Sequence, residues 1–432
     1  EELALVVREN LAFILARYRS AARPGLLDTK VDLLTGESFA TPEQAGTVWS
    51  EDIVYTWIQG RGLEALAGHL GWLKGQSAAV GELDEICRVL HEVAECMESL
   101  RVENGGRLSF MMSREGGSLQ VLPDGTVAPL DGLPDAANFS DLFYAKGLFA
   151  AGDALDDDTL RKEGEDYLRR TVKRIGRDEF ASDQQPMDPR NPVRHVPGRI
   201  SHGPRMIALG ALSLLLEKTG DPIWFEHGQA FLRHILSRHV NAGRHSSLPR
   251  WGFIEFITEE GAPYLQDGRV LCDPGHALEC VGLACKLLSA GLRTPQTAAA
   301  AADLVEQSSG ALGEVFLQAF ELGFNPVAGG ICKSVDLQTG RACNDDLPWW
   351  SLPETIRAAA LLPGIRPDLA DACARIQTTC ARAFLDHFVK PELGWMAVQT
   401  RNAAGDPIRA IPACPDVDPC YHTGLSLIDV LG

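Results

Sequence analysis

The chain has 432 residues, of which 45% are hydrophobic and 23% charged, and its formal net charge is −18 at pH 7. These proportions are typical of a globular protein, and the negative charge argues against nucleic acid or an anionic membrane surface as a partner. No apolar run is long enough to cross a bilayer, and the 11 cysteines lack the paired spacing of a zinc site. We therefore expect a cytoplasmic protein with reduced cysteines.

Apolar residues recur with helical spacing along most of the chain. The predicted helices lie near 2–18, 47–73, 80–102, 138–153, 157–175, 203–218, 222–240, 274–290, 295–322, 353–361, 366–388 and 422–430. Glycine-containing turns between apolar residues predict β-hairpins at 107–130, 250–270, 329–343 and 394–412.

Roughly a dozen helices that follow one another as antiparallel pairs favour a stack of helical hairpins. If the stack closes on itself, it forms a double ring of helices, an all-α (α/α)6 barrel with short β-hairpins on one face. We expect the whole chain, 1–432, to be one such catalytic domain. An open α-solenoid is the alternative, but it would not require hairpins that recur at one end.

The segment Asp273–Glu279 carries the clearest chemical signal. Asp273 suits a helix N-cap and Pro274 suits the first helical position, so His276 lies in the first turn with Glu279 three residues later on the same face. The positive end of the helix dipole disfavours an imidazolium, whereas the carboxylate favours it and can orient the ring. This arrangement predicts a histidine that could be neutral at working pH and accept a proton.

Four short motifs occur in the order and spacing of the N-acylglucosamine 2-epimerase superfamily, which the chain resembles from about residue 45 onwards. They are Trp57–Arg61, Asp273–Glu279, Leu347–Glu354 and Pro419–His422, with further matches at Thr219–Asp221 and Gly329–Ile331. That superfamily includes N-acylglucosamine 2-epimerases, cellobiose 2-epimerases and aldose–ketose isomerases acting on mannose-type sugars. The resemblance implies an (α/α)6 barrel and a chemistry that needs no metal or redox cofactor.

The resemblance also implies roles for individual residues. His276 and His422 would be the acid/base pair, Glu279 would support His276, and Arg61 would bind the sugar oxygens near C1 and C2. Further residues are expected to bind the substrate: Trp350, Glu354, Tyr144, His202 and Trp57. The implied partner is a small sugar, and a monomer or homodimer is expected.

These residue types suit proton transfer at C2 of an open-chain aldose. Removal of that proton gives an enediolate, so the site needs a base and a stabilising positive charge. Arg61 can supply the charge with several donors. Return of a proton to the opposite face of C2 gives the epimer, whereas delivery to C1 gives a ketose.

The chain departs from the superfamily pattern before the helix that ends in Thr219–Asp221. Gly203 and Ile207 stand where members usually carry an Asn and a His, with His202 and Arg205 as nearby polar residues. Lys146 stands where many members have a His. Such changes should alter which hydroxyls are recognised.

Two other segments are unusual. The aromatic residue that often follows the start of the histidine-bearing helix is absent, and Val281-Gly282 stands there instead. The proline-rich segment 182–202 is basic for this chain, and one interpretation is that Arg190, Arg194 or His195 covers the mouth of the cavity. A surface loop is the alternative.

Two other functions stay open at this stage. A glycoside-processing hydrolase on the same barrel would need two convergent carboxyl groups. The candidates are Asp52, Asp141, Glu255 and Glu279. A sugar-binding homologue that has lost catalysis is the third possibility. The missing Asn/His pair favours it, and the joint retention of Arg61, His276, Glu279 and His422 argues against it.

Overall fold

The computed structural model describes residues 1–21, 24–32, 34–38, 44–76, 78–122, 124–185, 196–394, 396–397, 400–410 and 418–432. The chain forms two compact units. The first unit comprises 1–195, 390–399 and 409–432, and the second unit comprises 196–389 and 400–408. Arg190, Arg194 and His195, considered above for a covering segment, lie outside the described residues.

Helices dominate both units. They are α1 (Glu2–Ser20), α2 (Thr56–Gly75), α3 (Val80–Glu103), α4 (Phe139–Ala154), α5 (Asp158–Gly176), α6 (Gly203–Thr219), α7 (Pro222–Arg238), α8 (Pro274–Arg293), α9 (Ala298–Gly323), α10 (Ser351–Leu361), α11 (Ala370–His387) and α12 (Ser426–Leu431). Short 3₁₀ helices cover Leu362–Gly364, Pro367–Leu369 and Pro391–Leu393, and a π-helical turn, Tyr421–Leu425, leads into α12.

The strands are short and lie between the helices. They are β1 (Ile53–Tyr55), β2 (Met111–Ser113), β3 (Ser118–Val121), β4 (Val127–Pro129), β5 (Ile200–Ser201), β6 (Phe256–Ile257), β7 (Leu271–Cys272), β8 (Phe324–Asn325), β9 (Gly330–Ile331), β10 (Ser334–Asp336), β11 (Arg341–Asn344), β12 (Leu347–Pro348), β13 (Val389–Lys390), β14 (Met396–Ala397) and β15 (Thr400–Arg401).

In the first unit, α4 packs against both α2 and α5. Helix α4 is buried almost all round, whereas α5 presents a polar outer face, so α5 covers α4. The approach of α2 to α4 depends on glycine: a Cβ at Gly147 would lie 2.2 Å from the carbonyl oxygen of Gly60. This close approach fixes the position of Arg61 on α2.

In the second unit, α8 packs between α6 and α10. Helices α7, α9 and α11 pack against these three from outside, and α11 has the polar exposed face that such a position predicts. Strand β7 runs directly into α8 and pairs antiparallel with β10, Cys272 lying opposite Val335. The first turn of α8 is therefore held by a sheet as well as by its neighbouring helices.

The predicted helices are confirmed with small shifts at their ends. One prediction, the helix near 47–73, begins too early, because residues 53–55 form β1 and the helix starts at Thr56. Ile53, Val54 and Tyr55 have the branched and aromatic side chains that favour strands, and Ile53 pairs with Ser113 of β2. No helix in the described parts of the chain has an apolar stretch long enough to cross a membrane.

Candidate active site

The first turn of α8 in the second unit positions His276. Asp273 caps the helix by accepting a hydrogen bond from the backbone N–H of His276 at 3.2 Å, as its N-cap position predicted. Gly275 lies so close to α10 that a Cβ there would be 2.8 Å from Cη2 of Trp350. The imidazole of His276 stacks on the indole of Trp350, with ring centroids 5.3 Å apart.

Two carboxylates face Nδ1 of His276. Oε1 of Glu255 lies 3.0 Å away and Oδ2 of Asp273 lies 3.4 Å away, while Nζ of Lys333 lies 2.5 Å from the same Asp273 oxygen. Burial lowers the pKa of His276, but the charges of Asp273 and Glu255 outweigh it and raise the pKa from 6.5 to about 9. At neutral pH His276 is thus an imidazolium, not the neutral base that its helix position led us to expect.

Glu255 bridges two imidazoles. Its second oxygen, Oε2, lies 3.1 Å from Nε2 of His202, and the His202 and His276 rings are 5.7 Å apart. Burial raises the pKa of Glu255, but the positive charge of His276 and the hydrogen bonds with both histidines hold it well below its usual range. His202 was expected to bind substrate. It has no solvent-exposed surface and its Nε2 contacts Glu255, so we instead propose that it supports Glu255.

The backbone explains how these residues meet. Ser201 of β5 pairs with Phe256 of β6, which sets His202 beside Glu255. The backbone N–H of Glu255 donates to the carbonyl of Leu271 at 2.8 Å, and Leu271 precedes the cap of α8 by two residues. Sequence reasoning named Glu255 only as a hydrolase candidate and gave no role to Lys333, because strands this short carry no periodic signal.

Glu279 and Glu354 are also buried in the second unit, on α8 and α10. Glu354 forms an ion pair with Arg357, which is itself buried. Arg357 occupies space next to Gly282, since a Cβ at that glycine would lie 3.2 Å from its Nε atom. The glycine that replaces the usual aromatic residue in α8 therefore accommodates a buried arginine, which the sequence did not predict.

In the first unit, Arg61 lies over three aromatic rings. Its guanidinium carbon is 4.2 Å from the ring centroid of Phe143, 5.4 Å from that of Tyr421 and 5.6 Å from that of Trp57. Its Nε atom is buried without a hydrogen-bond partner in the described residues. Trp57, predicted to contact substrate, thus contributes to the aromatic surroundings of this cation.

His422 lies in the π-helical turn that precedes α12 and is buried. The carboxylate of Asp418 accepts hydrogen bonds from the backbone N–H groups of Tyr421, His422 and Thr423 at 2.9–3.1 Å. Asp418 therefore fixes the backbone on which His422 lies.

Lys146, whose role was left open, and Tyr144, predicted to bind substrate, both contact polar groups within the first unit. Lys146 is buried, with Nζ 2.7 Å from Oε2 of Glu64 and donating to Oη of Tyr421 at 2.8 Å. The hydroxyl of Tyr144 donates to Glu98 on α3 at 2.9 Å. Because that hydroxyl is used in helix packing, we do not retain Tyr144 in the proposed site.

Gly203 and Ile207, the two positions where family members carry polar groups, lie at the start of α6. Ile207 and Arg205 are buried, and the Arg205 guanidinium lies 5.9 Å from the ring centroid of Phe231 on α7. The Arg205 side chain therefore packs against α7. His202, at the start of α6, contacts Glu255, which in turn contacts His276.

Within the second unit, the side chains of His202, Glu255 and His276 could also hold a metal ion. One ligand atom from each lies within 4.8 Å of the other two. The same atoms form the hydrogen bonds described above, so a cation would have to displace the proton that His276 shares with Glu255.

Comparisons with known proteins show which fold and family the chain shares. The chain has the same fold as a D-mannose isomerase (TM-score 0.71, 14% identity, covering 99% of this chain and 97% of that one). A cellobiose 2-epimerase from Bacillus thermoamylovorans B4167 is similar as well (TM-score 0.68, 12% identity, 99% and 98% covered). A GH76 α-mannanase from Bacteroides thetaiotaomicron is more distant (TM-score 0.54, 9% identity, 100% and 95% covered). The amino-acid sequence has no significant match among curated proteins.

The shared fold confirms the predicted (α/α)6-barrel class, in which carbohydrate isomerases occur. The sequence profile of the N-acylglucosamine 2-epimerase (GlcNAc 2-epimerase) family matches residues 127–423, well over half of the chain. The chain belongs to this family and is a carbohydrate epimerase or isomerase.

Proposed function

We propose that the protein moves the C2 proton of an open-chain aldose through an enediolate, with His276 and His422 as the two acid/base groups. The observation that carries this proposal is the charge next to His276: the carboxylates of Glu255 and Asp273 both face its Nδ1. With Nδ1 held by carboxylates, Nε2 is the ring atom that remains for the substrate. His276 starts the reaction protonated and donates, while His422 takes the C2 proton.

Arg61 is proposed to stabilise the enediolate oxygen. Its charge is permanent and it has a buried Nε without a partner in the described residues, so hydrogen-bonding capacity is left for an oxyanion. A donor placed where negative charge develops in the transition state typically contributes about 10²–10³-fold to the rate. Glu354 and Trp350 are proposed to contact the sugar hydroxyls and ring.

The direction of protonation decides between two products. A proton returned to C2 from the opposite face gives the 2-epimer, and a proton delivered to C1 gives the ketose. Both outcomes fit a member of a family whose structural neighbours include a cellobiose 2-epimerase and a D-mannose isomerase. The apolar Ile207 on α6 favours a sugar that needs no polar contact there.

The hydrolase alternative is less well supported, because three of its four candidate carboxylates, all except Glu279, are occupied or exposed. Asp52 is exposed, and Asp141 is bound by the hydroxyl of Tyr167 and by Arg107. Glu255 is shared by two histidines. A glycosidase needs one carboxyl group that is protonated and a second one nearby, and these contacts favour the ionised form of Glu255.

The test is a substrate panel followed by NMR of the products. D-Mannose, D-glucose, N-acetylglucosamine, N-acetylmannosamine and cellobiose are incubated with the protein, beside p-nitrophenyl glycosides. We expect an epimer or ketose from at least one free sugar. Replacement of His276 or His422 by Asn should slow the reaction by about 10²–10⁴-fold, the usual contribution of an acid/base group. Release of p-nitrophenol without any isomerised sugar would refute the proposal, and a wild type inert towards every compound would favour the non-catalytic homologue.

A further inference from the structure

We propose that Glu255, with His202 behind it, is a positioning residue that fixes the orientation of the His276 ring and keeps that ring protonated. The inference deepens the proposed function, on which its catalytic readout rests. It assigns roles to two residues that the family motifs do not include, Glu255 and His202.

The first argument is that the two oxygens of the Glu255 carboxylate contact two different histidines. Oε1 of Glu255 lies 3.0 Å from Nδ1 of His276, and Oε2 lies 3.1 Å from Nε2 of His202. Each oxygen thus meets one imidazole, and Glu255 cannot turn without breaking one of the two contacts. An acceptor held at Nδ1 selects the ring orientation that leaves Nε2 for the substrate.

The second argument concerns the protons. Nδ1 of His202 is buried and has no hydrogen-bond partner in the described residues. A proton on that atom would be a buried donor without an acceptor, which is costly, so the proton of His202 resides on Nε2 and points at Glu255. The ionised carboxylate then accepts N–H groups from both rings. This arrangement is consistent with the depressed pKa of Glu255.

The third argument is the charge that faces His276. The carboxylates of Glu255 and Asp273 lie within 3.4 Å of its Nδ1, and Lys333 offsets part of the charge of Asp273. Glu279 follows one turn later on α8, and the indole of Trp350 covers one ring face. Negative groups therefore outnumber the positive one around the ring, and the sum favours an imidazolium.

The direct test is an NMR titration of His276 in the full chain, labelled with isotope-enriched histidine and assigned by comparison with His276→Asn. The wild type should titrate near pH 9, well above the ordinary value of 6.5. In Glu255→Gln we expect that midpoint to fall by at least about one pH unit, a tenfold change in proton affinity. Asp336→Asn is the matched control: it removes one carboxylate of the same unit, buried but bound to its own turn at Gln338 and Thr339, and should leave the midpoint unchanged.

The second readout is the pH profile of kcat for whichever free sugar the wild type isomerises. If His276 must donate a proton, activity is lost as pH rises through its pKa, and Glu255→Gln should move this alkaline limb to lower pH by the same interval as in the titration. KM should change less than kcat, because Glu255 acts on the histidine and not on the sugar. A residue that only stabilised the fold would lower activity equally at all pH values.

Several outcomes overturn the inference. A His276 midpoint near pH 6.5 in the wild type would overturn the inference without any variant. This test therefore remains decisive even if Glu255→Gln fails to fold. A folded Glu255→Gln protein in which the His276 midpoint and the pH profile of kcat are unchanged would also overturn it. Failure of the proposed function looks different: no sugar would exchange, while the Glu255-dependent midpoint would still be seen.

Discussion

Nζ of Lys333 lies 2.5 Å from Oδ2 of Asp273, the residue that caps α8. The same carboxylate accepts the backbone N–H of His276 and faces its Nδ1 at 3.4 Å. Asp273 therefore links three features: the start of the helix, the ammonium of Lys333 and the charge of the proposed acid. The cap and the charge can be separated experimentally, because Asn caps helices as well as Asp does.

Asp273→Asn should keep the helix start and lose the charge. The pKa of His276 is raised in the folded protein to about 9, so its contribution to stability is complete below 6.5 and is lost as pH rises through about 9. The wild type should accordingly exceed the variant in free energy of unfolding most at pH 6, and the gap should narrow by pH 9.5. The pKa of Lys333 is lowered by burial but raised overall by Asp273, so part of the gap should persist there. Urea unfolding of both proteins at pH 6 and 9.5 measures this difference in free energy. A difference that grows with pH would contradict the raised pKa of His276.

Gly275→Ala should damage the site more than the fold. The new methyl group would lie 2.8 Å from Cη2 of Trp350 and 3.0 Å from Cβ of Ser351, which forces the indole away from His276. We expect a rise in KM with a small loss of stability. In Gly310→Ala, on α9, the methyl group meets nothing within 4 Å and should stabilise the helix by about 0.5–1 kcal/mol. Equal kinetics for the two variants would argue against a role of the Trp350–His276 stack.

Arg357→Leu should strongly destabilise the second unit. Glu354 and Arg357 are both buried, and the substitution removes the guanidinium that pairs with a buried carboxylate, a change that typically costs about 3–5 kcal/mol. The control is Arg161→Ala, which breaks an exposed pair with Asp158 and should change the free energy of unfolding by no more than about 0.5 kcal/mol. Denaturant titration of the two variants compares them, and similar midpoints would show that Glu354 does not depend on Arg357.

Arg61→Lys tests whether the guanidinium itself is needed. Lysine keeps the charge but loses the planar group that lies over Phe143, along with the buried Nε donor. We expect a fall in kcat/KM of about 10²-fold with little change in stability. Arg8→Lys, which alters a guanidinium 5.2 Å from the ring of Trp72, is the matched control and should leave kcat/KM unchanged. A fully active Arg61→Lys variant would remove Arg61 from the mechanism.

Much of the fold could be predicted from local patterns. Apolar spacing located the helices, and the Asp273-Pro274 pair correctly placed His276 in the first turn of α8. These features depend on residues within one or two turns of each other, so the sequence shows them directly.

The surroundings of His276 could not be predicted in this way. Glu255 is 21 residues from His276 and Lys333 is 60 residues from Asp273, and both approach through strands of two or three residues. The expected balance between helix dipole and Glu279 therefore left out Glu255, and it treated Asp273 only as a helix cap, although both carboxylates dominate the charge around the imidazole. Gly282 was visible as a departure, but nothing local indicated that Arg357 fills the space.

The most direct test of the proposed chemistry is the reaction of a convertible sugar in deuterium oxide, followed by NMR at C1 and C2 of the product. We expect wild-type product with deuterium at C2 if it is the epimer or at C1 if it is the ketose, and loss of this label from both His276→Asn and His422→Asn while each variant remains folded. An epimer without deuterium at C2, a ketose without deuterium at C1, or full incorporation by either variant would contradict proton transfer by these two histidines.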